Sequence, residues 1–117
     1  MMSSDVLFYG WDKATPGREK EAGALFQEYL PYLGRLQQEG MIDSFDVVLL
    51  TLHGGDLNGF FLIKGDIEKL DELRRTEEFN TFLTRSGIVI DGGGLIPGVI
   101  GEGVTKQMAR WMSLLPD

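Results

Sequence analysis

VVLLTLHGGDLNGFFLIK, Val47 to Lys64, decides the fold. Two apolar runs, Val47-Val48-Leu49-Leu50 and Gly59-Phe60-Phe61-Leu62-Ile63-Lys64, flank His53-Gly54-Gly55-Asp56-Leu57-Asn58. β-Branched and aromatic residues suit a pleated surface, and a glycine-bearing polar segment suits a hairpin connection. The segment therefore predicts two antiparallel strands, the first from Asp43 to His53. Upstream, Ala22, Leu25, Phe26, Tyr29, Leu33 and Leu36 recur at steps of three and four, one face of a helix. Thr15 is its expected N-cap, Pro16 its first helical residue and Gly40 its stop. Pro31 lacks an N–H and predicts a kink between Gln27 and Pro31. Before this helix, Asp5 to Asp12 reads as an aromatic-rich first strand.

Downstream, Asp66 is the expected cap of a second helix bearing Ile67, Leu70 and Leu73. Thr76-Glu77-Glu78-Phe79 predicts a fresh helix start, because Thr caps and the helix dipole favours early acidic residues. Phe79, Phe82 and Leu83 form its buried face, and Gly87 is its expected stop. Ile88-Val89-Ile90 reads as a strand or strand approach, and Leu95 to Ile100 as the last strand. A short helix from Val104 to Leu115 carries Met108, Trp111, Met112 and Leu115 on one side.

The order strand, helix, strand, hairpin, strand, helix, strand predicts one α+β domain spanning residues 1–117. Its sheet is four-stranded and antiparallel, with the main helices on one face. Such a sheet standing alone alternates apolar and polar residues. Here Leu7, Tyr9 and Trp11 oppose Val6 and Phe8, Val47 and Leu49 oppose Val48 and Leu50, and Phe60 and Leu62 oppose Phe61 and Ile63. Both faces are apolar, so a homodimer packed sheet on sheet is expected. The alternative is a monomer whose last helix folds across the open face.

Composition narrows the function. The 117 residues carry a formal net charge of −7, from 18 acidic and 11 basic side chains. That charge disfavours nucleic acid and anionic membranes as partners. The chain has no cysteine, which excludes disulfides, thiolate metal sites and thiol catalysis. Its apolar runs fall short of the roughly 20 residues of a membrane helix. Met1-Met2-Ser3-Ser4-Asp5 lacks the basic and apolar regions of a signal peptide, so a cytoplasmic protein is expected.

The helix entrance Thr15-Pro16-Gly17-Arg18, the run Val47 to Lys64 and the restart Thr76-Glu77-Glu78-Phe79 resemble the dimeric α/β-barrel superfamily. That group has a ferredoxin-like βαββαβ fold and includes antibiotic-biosynthesis-type monooxygenases, muconolactone-isomerase-like proteins and YCII-related proteins. The resemblance implies a cleft between sheet and helices for a small, often aromatic molecule. YCII-related proteins place a histidine in the first helix, whereas Tyr29-Leu30-Pro31-Tyr32-Leu33 has none. Haem-degrading members use a histidine on the second helix, and Asp66 to Gly87 has none. No cofactor or metal is therefore expected.

Four residues are singled out as site candidates. His53 is the only histidine, so it alone titrates near neutral pH without a perturbed environment. It would act as a general base oriented by Asp56 or Asp46, or simply hydrogen-bond its turn. One histidine is too few for a zinc site. Tyr9 and Trp11 share a strand face and would stack on a flat ligand, or else fill the core. Arg85, with Asp91, flanks the last helix–strand junction and would reach the ligand, or else stay a solvated charge. Gly92-Gly93-Gly94 and Gly98 to Gly103 match no phosphate-loop spacing and are read as bends. The expected function is small-molecule binding, with cofactor-independent monooxygenase or isomerase action on a small aromatic substrate as its catalytic form. The alternative is a non-catalytic ligand-sensing or protein-interaction module.

Overall fold

A computed structural model describes residues 4–117. The expectation of a leaderless start at Met1 to Ser3 lies outside them. Strand β1 (Asp5–Trp11) is followed by the short β2 (Lys13–Ala14), helix α1 (Glu19–Gln38), β3 (Ser44–Leu49) and β4 (Gly59–Gly65). Helices α2 (Ile67–Arg74) and α3 (Glu77–Val89), strands β5 (Ile90–Asp91) and β6 (Gly94–Val99), and helix α4 (Glu102–Ser113) complete the chain. The main sheet has the order β3-β4-β1-β6, antiparallel throughout. This is the ferredoxin-like topology.

Register sorts the side chains. Leu7 pairs Ile63, Tyr9 pairs Phe61 and Trp11 pairs Gly59 on the face under the helices. That face joins Leu33, Leu36, Leu70, Leu73 and Phe79 in one core. On the other face the Phe8 and Phe60 rings sit 4.9 Å apart. Ile96 there is 59 % exposed. The apolar outer face is thus real. The last helix does not fold across it: no residue of α4 is buried.

Two local expectations are corrected. Thr15 does not cap α1, which begins four residues later. The Arg18 N–H returns to the Thr15 carbonyl at 2.8 Å with Gly17 at φ +89°, so Thr15-Pro16-Gly17-Arg18 is a tight turn. Proline second and a positive-φ glycine third suit a type II turn. The Thr15 hydroxyl donates instead to Asp91 at 2.8 Å, beside the β2–β5 pairing. Pro31 lies inside α1, as expected, and the helix continues past it with Tyr29, Tyr32 and Leu33 buried. Gly87 does not stop α3, because Val89 continues the helix to pack on Ala22 and Leu25. Other signals match: Thr76 accepts the Phe79 N–H, and Gly40 follows the end of α1 at φ +77°. Asp66 occupies the N-cap of α2 in extended geometry, without a side-chain cap bond.

Phe79 is fully buried. Replacing it with Ala should destabilise the protein by about 3–5 kcal/mol in urea titrations. Thr76→Ala, which removes only the cap, should cost about 1 kcal/mol.

Candidate functional site

The helices do not close completely on the sheet. Between β1, β4, α1 and α3 lies a cavity of about 320 Å³, at the lower end of the range for small-molecule sites. Aromatic side chains line it. Trp11 packs 5.1 Å from Phe61 and 6.2 Å from Phe26, ring to ring, and Tyr29 sits 4.9 Å from Phe61 and 5.1 Å from Phe82. These rings pack on one another and form one wall of the cavity. Gly59 makes room for Trp11, since a Cβ there would lie 2.6 Å from the indole.

Three of the lining residues carry hydroxyls: Tyr9, Ser86 and Tyr29. Tyr9 and Ser86 form a short mutual hydrogen bond. Ser86 donates its single hydrogen to the Leu83 carbonyl at 2.9 Å, so Tyr9 is the donor to Ser86. The Tyr29 hydroxyl is buried with no hydrogen-bond partner. A buried hydroxyl left unpaired costs about 1–3 kcal/mol. Burial pushes the Tyr29 phenol far above its ordinary value, with Tyr32 and Tyr9 adding to the shift. Burial, then the Glu78 carboxylate, also pushes Tyr32 up to about 12, against the lowering effects of Thr76 and Arg35. Tyr29 is therefore a neutral donor at any ordinary pH.

Two charges stand at the cavity wall. Lys13 lines it and makes no ion pair among the described residues. Glu19 accepts the Gly17 N–H at 3.0 Å, and that bond holds its carboxyl below the usual range. No group of three or more metal-ligating side chains occurs among the described residues, and no helix among them is long and apolar enough to cross a membrane.

Of the residues singled out in the sequence, Tyr9 and Trp11 line the cavity. His53 does not: it sits exposed on the β3–β4 connection, its Nδ1 3.0 Å from the Thr51 carbonyl. Asp46, one of its suggested partners, pairs instead with Lys64 at 2.9 Å. Arg85 lies outside the lining, paired with Glu28 and placed over the Phe82 ring. Asp91 receives the Thr15 hydroxyl. The glycine run forms the β5–β6 connection and packs beside Tyr9. Tyr29 and Ser86 were missed because both fall on helical apolar stripes. Ser86 carried a signal: it continues the series Phe79, Phe82, Leu83 as the one polar member.

No family model matches the chain, and no curated protein matches it. Solved structures share its fold. A dimeric protein of unknown function with a ferredoxin-like fold from Bacteroides fragilis aligns at TM-score 0.59 and 10 % identity, covering 86 % of this chain and 100 % of its own. A Pseudomonas aeruginosa protein aligns at TM-score 0.56 and 19 % identity, covering 85 % of this chain and 96 % of its own.

Stability should stay level to about pH 10 and fall above it. The folded Tyr29 and Tyr32 phenols hold their protons after those of the unfolded chain, ordinarily near 10, have ionised. Urea titrations from pH 8 to 11 should show the fall, and Tyr29→Phe should flatten it. At pH 7 the same substitution should stabilise the empty protein by about 1 kcal/mol, since it deletes an unpaired hydroxyl.

Proposed function

We propose that this protein binds a small flat aromatic molecule in the cavity between sheet and helices, as a homodimer. The observation that carries this is the aromatic-walled cavity itself, with the Tyr29 hydroxyl buried without a partner in its wall. A small shift of the Tyr29 side chain would bring its uncommitted hydrogen to a ligand oxygen, while Trp11 and Phe61 supply faces for stacking. Tyr9, whose hydrogen is committed to Ser86, retains an acceptor lone pair. Lys13 suits a carboxylate at the opening. A hydroxylated aromatic acid satisfies all of these groups.

Binding is better supported than turnover. Isomerase or monooxygenase chemistry without a cofactor needs a proton acceptor near the ligand. Tyr29 is held neutral, and Glu19 is a weakened base because its carboxylate is already hydrogen-bonded. His53 and Arg85 are not needed for this binding mode. The homodimer is supported by the uncovered apolar outer face, and the Bacteroides fragilis neighbour is itself dimeric.

Calorimetric titration with 4-hydroxybenzoate and 6-hydroxy-2-naphthoate tests the binding. At least one should bind. Tyr29→Phe should weaken it about tenfold, a loss of about 1.4 kcal/mol. Trp11→Phe and Lys13→Ala should weaken it too, and His53→Ala should leave it unchanged. Absence of binding, or affinity indifferent to Tyr29 and Trp11, would defeat the proposal. Chromatography of the incubated ligand separates the two modes: unchanged ligand means binding alone, and a new product means catalysis. Native mass spectrometry should show a species of twice the 13.0 kDa chain mass.

A further inference from the structure

Helix α4 has an apolar side with no cover. Val104, Met108, Trp111, Met112 and Leu115 are each 44–58 % exposed. At 100° per residue they share one stripe, and the charges of Glu102, Lys106 and Arg110 lie on the opposite side. A helix of this length is marginal in water by itself, so such a stripe needs something to pack on.

The root of α4 fixes its direction. The Ile100 N–H donates to the Ser4 carbonyl at 2.8 Å, and Gly103 lies against Val99 and Ser4. Gly101 holds φ 53° and ψ −125°, a conformation open essentially to glycine alone. The helix therefore leaves the body. The radius of gyration is 16.0 Å, against roughly 13 Å for a compact chain of this length.

A second bare strip lies at the far edge of the same sheet. Val47 and Leu49 on β3 face the helix side, yet they are 36 % and 69 % exposed. Leu49 also lines the aromatic cavity.

We propose that α4 of one copy lies across the β3 edge of a second copy and closes that copy's cavity beside Leu49. This rests on the homodimer proposed above. Sheet-on-sheet packing consumes the outer faces, and the β3 strip beside the cavity stays open to the arm. The order β3-β4-β1-β6 puts the arm and the bare edge at opposite ends of one sheet. A two-fold axis along the barrel sets each β6 beside the partner's β3, twice over. The arms enlarge the area that sheet-on-sheet packing alone would bury, toward the roughly 800 Å² per partner of a standard interface. Lys106 and Arg110 then face outward over a body that holds most of the chain's 18 acidic residues. Each site is completed by side chains of the other copy.

The absence of native cysteine makes the test clean. Full-length Leu49→Cys chains, co-expressed with chains carrying Met108→Cys or Met112→Cys, are oxidised mildly and resolved without reductant. A covalent dimer joining position 49 of one chain to 108 or 112 of the other is expected. A dimer in native mass spectrometry without that link overturns the arm, as does a link only between two α4 helices. So does a link formed within one chain when both cysteines are placed together. A monomer in native mass spectrometry instead defeats the homodimer, and the arm falls with it. Full-length Trp111→Ser should remain dimeric and bind 6-hydroxy-2-naphthoate about tenfold more weakly. Unchanged affinity would overturn closure of the cavity by the arm.

Discussion

The register of β1 between β4 and β6 is the constraint on which the rest of the structure depends. A slip of one residue would exchange Leu7, Tyr9 and Trp11 for Val6, Phe8 and Gly10 beneath the helices. In most sheets the cost of turning polar residues inward forbids this. Here both faces are apolar, so hydrophobicity alone discriminates poorly. Glycine placement supplies what the pattern lacks. Trp11 lies over Gly59 on the neighbouring strand, where a Cβ would come within 2.6 Å of the indole. A shift of two residues along β4 would set the indole against Phe61 instead.

That arrangement also shapes the cavity. Trp11, Phe61 and Tyr29 pack on one another in its wall, and Tyr9 is locked by its bond to Ser86. The hydroxyls are thereby sorted into roles. Ser86 and Tyr9 have their hydrogens committed, while Tyr29 has its own free. Substrate-site chemistry of this kind depends less on residue identity than on which hydrogens are already spoken for.

The sheet and its helices were legible in the sequence because periodicity reports burial directly. The hairpin around Gly54-Gly55, the Thr76 cap and the four long strands all carry local signals. Errors arose where tertiary partners overrode those signals. Thr15 has the chemistry of a cap but is engaged by Asp91, 76 positions away. Gly87 has the chemistry of a stop, but Val89 has a buried place to fill. The two-residue strands β2 and β5 exist only through each other and leave no pattern. In the site, alternation along β1 drew attention to Tyr9 and Trp11. Tyr29 was hidden because a cavity-lining tyrosine and a core tyrosine occupy the same helical position. His53 and Arg85 stood out by chemical type, and type alone does not say which way a loop or a helix face is turned.

β1 is central in the sheet but first in the chain, and its partner β6 begins at residue 94. During synthesis β1 must wait, with one edge unpaired, until β6 has emerged. Pairings such as Asp5 with Val99 close a long loop that takes in both main helices and the hairpin. Folding dominated by such distant contacts is slow compared with that of a helical bundle. The exposed edge of a nascent aromatic strand is then the point at which this chain is most open to chaperone capture or to pairing with the wrong neighbour.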